Sequence, residues 1–508
     1  MLGGTLALAG CTKQAPALEG GWVGAAVGRG HRLRDLKAPP APTVERRAAV
    51  VIVGAGIAGL AAARAFARRG VDDVQLLELE DRFGGNSRGH AIAGQRCPLG
   101  AHYLPVPGAP AREVNEWLFE IGLLRHASGR TVADERFLCH SPQERLFVDG
   151  AWAEGLLPPA EPASRTMAQY RRFAARVAEV TTLGFAIPSQ RAPWTAAHAA
   201  LDAVTFDAWL AREGFDDERL RWYLDYCCRD DYGAGSGVVS AWAGLHYFAS
   251  RHGFHAPGDE SAEREPVFTW PEGNAWLAAK LAAPFADRVH AARTVLRVAE
   301  GRHEVELLVW DEAAACAERW HAGTVVLALP LFVAARVLGN PPDELRAAAA
   351  QPHAPWLVAN LHLERPLLDR GGAAPSWDNV PYGARGLGYV DAGHQRLNPA
   401  PGPVVLTVYH PLPANDRGAL LADDWRAWAG RVLADLAPTH PDLTAKTTRA
   451  DLMRYGHAMA IPAPGWRGSA ALAALRARRG RVRFAHADLA AYSIFEEAFT
   501  LGTTVAET

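Results

Sequence analysis

The chain has little lysine, no long apolar run and no cysteine framework, and each absence excludes something. Only four lysines occur (Lys13, Lys37, Lys280, Lys446), so arginine carries nearly all the positive charge. The formal net charge is −2 and no long basic run exists, which argues against a nucleic-acid partner. No stretch is apolar for long enough to span a bilayer. Beyond Cys11, the cysteines are Cys97, Cys139, Cys227, Cys228 and Cys316. None forms a C-x-x-C pair and none joins histidines at zinc spacing, so no metal site is expected. They read as small buried hydrophobes. Cys227 and Cys228 are adjacent, but a vicinal disulfide is strained. At 508 residues the chain is too long for one simple core, and two intertwined domains are expected.

What is present begins at residue 50, with VVIVGAGIAGLAAARAFARRG. Val50 to Val53 is a β-branched, unalternating run, the pattern of a buried strand. Gly54, Gly56 and Gly59 follow at G-x-G-x-x-G spacing. The first glycine permits the tight turn, the second lets backbone approach a pyrophosphate, and the third lets helix pack on strand. Ala61 to Arg69 is a strong helix former, with Gly70 placed to end it. Free amides and the positive dipole at that helix start favour an anion. A second strand, Val74 to Leu77, ends at Glu78. An acid there suits ribose hydroxyls rather than a 2′-phosphate.

The first eleven residues, MLGGTLALAGC, are apolar and end in Leu8-Ala9-Gly10-Cys11. They resemble a bacterial lipoprotein signal, in which the cysteine becomes the lipidated N-terminus. That likeness implies a place in the bacterial cell envelope or periplasm, with membrane contact only through a lipid on Cys11. Without it, the cytoplasm is the alternative. Residues up to about Arg47 read as a tether and N-terminal extension.

After Glu78 come EDRFGGNSRGH (80–90) and PLGAHYLP (98–105). Strand, G-x-G-x-x-G, acid, R-x-G-G and G-A-H, in that order, resemble the FAD-dependent amine oxidase superfamily. This group includes monoamine and polyamine oxidases, protoporphyrinogen oxidase and phytoene desaturases. The resemblance implies an α/β fold, with a Rossmann-like FAD-binding domain built from discontinuous segments and an α+β substrate domain. By resemblance, Arg82, Gly84, Gly85 and Ser87 pass beside the pyrophosphate and flavin, and Gly100, Ala101 and His102 lie near the isoalloxazine. VFTWPEGNAWLAAKLA (267–282) is similar to the family's return into the FAD domain. In VHAARTVLRV (289–298), Val295 takes the adenine contact. TVVLALPLFVAARV (324–337) matches the family's strand, proline turn and helix. The closing RVRFAHADLAAYSIFEEAFTLGTTVAE resembles the last family segment, whose helix starts at the flavin. It implies Asp488 as ribityl ligand and Ser493, Ile494 and Phe495 at the flavin edge. His486 and Ala487 stand where one glycine is usual, so the register of Asp488 is open by one residue.

The implied order is an N-terminal signal and extension (1–47), FAD-binding segments (48–105, 267–350, 454–508), a helical substrate segment (106–266) and a strand-rich one (351–453). YCCRDDYG (226–233) offers Asp230, Asp231 and Tyr232 to a cationic substrate. Turn or helix-end charges in solvent are the plainer reading there. Trp270 ranks next, with Glu272 and Asn274. RYGHAM (454–459) resembles the place where the family sets groups beside the flavin. Tyr455, His457 and Tyr492 are therefore pocket candidates, with His102 as a fourth catalytic candidate. His246 and Tyr247, on an apolar helix face, read as core.

The activity implied is hydride transfer from an amine carbon, a polyamine's among them, to flavin N5, with O2 or another acceptor closing the cycle. The strand APWLVANLHLERPL has no lysine where many amine oxidases place one, which leaves the acceptor open. No cysteine follows Cys316, so FAD is expected to be non-covalent. Two alternatives stand: a desaturase or porphyrinogen-oxidase-like enzyme acting on C–C bonds of an apolar substrate, and a non-catalytic flavin-binding protein.

Overall fold

The computed structural model describes residues 18–259, 265–396 and 402–507. The lipoprotein-like segment ending at Cys11 lies outside them. Two sheets organise the molecule. The first has seven strands, in the order Val289–His290, Val74–Leu77, Val44–Val53, Cys316–Leu327, Val305–Asp311 and Arg293–Glu300, with Val482–Phe484 beside Cys316–Leu327. Val74–Leu77, Val44–Val53, Cys316–Leu327 and Val482–Phe484 pair in parallel, and the other two long strands run antiparallel. Parallel pairing needs cover on both faces. The buried run Val50 to Val53 fits that place, with each residue at most 4% exposed.

The strand expected from Val50 starts earlier, at Val44, and its first residues are largely exposed. The helix after the glycines runs Ile57–Arg68 and buries ten consecutive residues, Ile57 to Phe66. This phosphate helix packs tightly because Gly59 has no side chain: a Cβ there would stand 1.9 Å from the Gly54 carbonyl. Gly70 sits at φ +78°, just past the helix end, as its sequence position requires.

The second sheet has eight strands, ordered Glu19–Trp22, Thr447–Ala460, His353–Leu363, Val404–Pro411, Tyr389–Asp391, Asp378–Pro381, Glu144–Val148 and Ala151–Glu154. Helices Arg165–Thr181, Glu218–Tyr232 and Ala241–Ala249 pack beside it around an aromatic core that includes Phe173, Trp209 and Trp242.

The chain's path differs from the sequence reading in three places. Residues 106–266 are not purely helical, since Glu144–Val148 and Ala151–Glu154 extend the second sheet. The break placed between 453 and 454 falls inside one continuous strand, Thr447–Ala460. Residues 18–47 are no loose tether. Glu19–Trp22 pairs in parallel with Arg449–Leu452, Val27–Asp35 is helical, and Val44 already belongs to the first sheet. Backbone pairing holds this stretch despite its glycines: Gly20, at φ +124°, lies so close to the neighbouring strand that a Cβ would meet the Ala450 carbonyl at 1.9 Å.

Candidate functional site

Two adjoining cavities lie between the sheets, of about 310 and 170 Å³. Asn86, Ala101, Ala458, Ser493, Ile494 and Phe495 line both, so the two spaces meet.

The larger cavity is built from the glycine turns. Gly54 takes φ +100°, and a Cβ there would meet the Ala328 carbonyl at 2.5 Å. Gly56 and Gly85 face each other across the cleft: a Cβ on Gly85 would stand 3.2 Å from the Gly56 Cα. The Gly84 amide donates to the Ala55 carbonyl at 2.8 Å, which locks the two turns together. Bare backbone on both sides leaves room for an extended phosphate chain at the phosphate helix's N-terminus. Glu78 closes one end. Its carboxylate accepts from the Ala55 amide (2.8 Å) and the Glu80 amide (2.9 Å). Burial pushes this carboxyl above its usual range, against those two bonds. Val295 and Ser87 also line this cavity. This donor and spacing pattern fits a dinucleotide of FAD's shape.

Asp488 lines the same cavity and is fully buried. Its Oδ2 accepts from the Leu331 amide at 2.9 Å and stands 3.1 Å from His353 Nε2, while His486 Nδ1 is 3.1 Å from Oδ1. Burial alone would raise this carboxyl, but the two imidazoles and the hydrogen bonds hold it far below the usual range. Asp488 therefore anchors the start of the Leu331–Val337 helix as well as forming a cavity wall. His457 also lines this larger cavity, beside Phe332 at 4.7 Å between ring centroids. Burial pushes its imidazole down to about 4, so it is neutral at physiological pH. The helix Phe495–Thr504 starts where the cavities meet, and the Ser493 hydroxyl accepts from the Ala460 amide at 3.1 Å.

The smaller cavity combines aromatic rings with carboxylates. Gly100, His102, Tyr103, Trp356, Val358, Tyr409, Tyr455 and Met459 form its apolar wall, and Asp230, Asp231, Glu496 and Arg251 its charged part. His102 stacks on Tyr409 (4.3 Å, 24°). Burial pushes its pKa down to about 3, so it presents a neutral ring. Tyr455 is tied by its hydroxyl to the Leu99 carbonyl at 2.9 Å, and Tyr409 to the Gly100 carbonyl at 3.0 Å. Asp231 pairs with Arg251 at 3.0 Å. Asp230 contacts the Tyr103 hydroxyl at 3.5 Å, and no arginine or lysine among the described residues forms a salt bridge with it. Burial, then Asp231, raises Asp230 to about 7. Burial likewise raises Glu496 to about 7.

Five candidates fall elsewhere, among them Glu272, which pairs with Arg96 at 2.7 Å and lines neither cavity. Tyr232 is fully buried and donates to the Ala243 carbonyl at 2.8 Å. Asp230, Asp231 and Tyr232 are consecutive on one helix, so they fan out over about 200° and cannot share one face. Tyr492 is fully buried between Tyr232 and His246, with centroids at 5.7 and 5.5 Å. The turn at Ala491, φ +69°, precedes this inward-facing ring. Trp270 stacks on Trp276 at 5.0 Å and 9°, inside the core under the first sheet. Arg82 is exposed and lines neither cavity. The buried arginine of that segment is Arg88, which holds the Gly24 and Gly85 carbonyls. Asn274, ranked low from sequence, does line the smaller cavity and donates to the Tyr103 carbonyl at 2.8 Å. Sequence reasoning missed Trp356, Val358, Tyr409, Arg251 and Glu496. The alternation of WLVANLHL could have named Trp356 and Val358 as one face of a strand.

Comparison with known proteins gives the following. The profile of the flavin containing amine oxidoreductases matches residues 57–508. AofH of Mycobacterium tuberculosis, named for the flavin-containing monoamine oxidases, is 28% identical over 289 residues, 55% of this chain and 56% of AofH. The chain thus spans about half the length of the curated relatives it matches. Among solved structures, cyclohexylamine oxidase from Brevibacterium oxydans superposes with TM-score 0.66 at 18% identity, covering 91% of this chain and 98% of that one. A putrescine oxidase bound to putrescine superposes with TM-score 0.63 at 17% identity, covering 91% and 99%.

Proposed function

The chain belongs to the flavin-containing amine oxidoreductases, and from that premise we propose that it oxidises a cationic amine whose second charge is read by Asp230. FAD is its cofactor. Its dinucleotide is held by Gly54, Gly56, Gly84, Gly85, Glu78 and Ser87, without a covalent link. When bound, FAD accepts the hydride lost from the carbon next to nitrogen.

The observation that carries the reading is the make-up of the smaller cavity. It adjoins the cofactor cleft and sets an aromatic wall opposite buried carboxylates. Trp356, Tyr409 and His102 exclude water from the reacting end, which favours an uncharged amine there. His102 is itself neutral, so it adds no repulsion. At the far end Asp231 is already matched by Arg251, and Asp230 remains to meet a distal ammonium by charge-assisted hydrogen bonding. Tyr103 adds a ring to the same wall, with its hydroxyl 3.5 Å from Asp230. A long apolar substrate suits this cavity less, because it would leave buried carboxylates unmatched.

The test compares Asp230→Asn with the wild-type enzyme on putrescine and on n-butylamine. Losing a charge-assisted contact worth about 1.5–3 kcal/mol lowers kcat/KM for putrescine roughly 10- to 100-fold. The value for n-butylamine stays within about threefold. Equal losses on both amines, or no loss on putrescine, would contradict the assignment.

A further inference from the structure

The family match begins at residue 57, yet one wall of the larger cavity comes from upstream of it. Leu33, on the helix Val27–Asp35, lines that cavity. It packs against the apolar cluster holding Leu77, Val295 and Val337. This is the end marked by Glu78, where the acid after the second strand places the ribose.

The arm reaches this position by crossing from the other sheet. Its strand pairs with Arg449–Leu452, and Arg454 stacks over the Trp22 ring at 4.5 Å. Arg88 then holds the Gly24 carbonyl. The Ala26 amide donates to Glu80 Oε2 at 2.9 Å, and Arg29 donates to the Leu79 carbonyl at 3.1 Å and pairs with Asp81 at 2.8 Å. All three partners lie within three residues of Glu78. Arg32 pairs with Glu312 at 2.9 Å. At the helix end, Arg336 donates to the Leu33 and Arg34 carbonyls, each at 2.8 Å. No residue of this helix is itself buried. It is therefore held by polar ties, the Arg32 contact over the Trp310 ring at 5.3 Å and one leucine.

We infer that residues 24–36 form part of the cofactor site, a wall over the nucleotide end that retains FAD through Leu33. The inference rests on the FAD reading of the glycine-lined cleft. Such a wall acts on the adenosine half of the cofactor and not on the flavin half. It should therefore separate FAD from FMN, which shares the flavin and lacks the adenosine.

The experiment titrates flavin-stripped wild-type protein, Leu33→Asp and Arg336→Ala with FAD and with FMN, followed by flavin fluorescence. The wall predicts FAD dissociation constants raised at least about tenfold in Leu33→Asp and severalfold in Arg336→Ala, with FMN affinity unchanged in both. Unchanged FAD affinity in both variants overturns the inference, as does an equal loss of FAD and FMN in Arg336→Ala. Should Leu33→Asp fail to fold, it would lose both flavins and Arg336→Ala would decide. A wild-type protein that binds neither flavin would refute the cofactor reading itself.

Discussion

Asp230 carries the substrate reading, and its environment makes that role pH-dependent. Burial and the neighbouring Asp231 raise its pKa to about 7, and Asp378, itself raised by burial and by Asp230, faces the same charge. A distal ammonium is attracted only to the ionised form. The KM for putrescine should therefore fall as pH rises from 6 to 8, and the Asp230→Asn enzyme should lose most of that fall, the remainder belonging to Glu496, raised to about 7 in the same cavity. Stability moves the other way. A raised native pKa means that the folded state holds the proton more tightly, so stability declines as pH climbs from about 4 to about 7. Asn removes this titration. Relative to wild type, Asp230→Asn should gain more melting temperature at pH 8 than at pH 5, measured by thermal unfolding at both. A constant difference would show that Asp230 is not strained by burial. At this scale the sequence was readable in part. YCCRDDYG displayed the two acids, but not which one Arg251 would neutralise, because that partner lies 20 residues on. Nor did it show that Tyr232 would turn away, since that depends on the phase of the helix.

Among the elements, the turn between Val44–Val53 and Ile57–Arg68 was the most legible, since each glycine has its own local steric reason. The structure separates two of those reasons. Gly59 serves packing: its Cβ would overlap the Gly54 carbonyl at 1.9 Å. Gly56 serves the ligand: its Cβ would find only the Gly85 Cα, at 3.7 Å. Gly56→Val should therefore fold with a far-UV spectrum and melting temperature near those of flavin-stripped wild type, yet fail to take up flavin, read as the 450 nm to 280 nm absorbance ratio. Gly59→Val should lose several kcal/mol of stability by overpacking. If Gly56→Val keeps its flavin, the cleft does not take the pyrophosphate there. Elements built by long-range pairing were harder to foresee. Glu19–Trp22 is short and rich in glycine, and only its pairing with Arg449–Leu452 makes it a strand. Glu144–Val148 sits in a segment dominated by helical periodicity, and its partner Asp378–Pro381 is more than 200 residues away.

The whole molecule sets two sheets against each other, and the site lies between them. The strand Thr447–Ala460 belongs to the second sheet, yet its end, through Ala458, lines both cavities and ties to Ser493 and Asn86. The N-terminal arm crosses in the same way. Such crossings explain why domain boundaries drawn from motif order missed the path of the chain: motifs mark where the chain touches the cofactor, not where the backbone pairs. The fold class was legible because strand, glycine turn and acid come in an order that few architectures use. The smaller cavity was not, because its walls come from nine separated stretches of sequence, from Asn86 to Glu496. The central claim is that this cavity presents a cationic amine to a bound flavin. The most direct test is an anaerobic absorbance titration of the flavin-loaded enzyme with putrescine. The account predicts bleaching of the band near 450 nm at stoichiometric amine. A flavin that dithionite reduces but putrescine and n-butylamine leave yellow would contradict it.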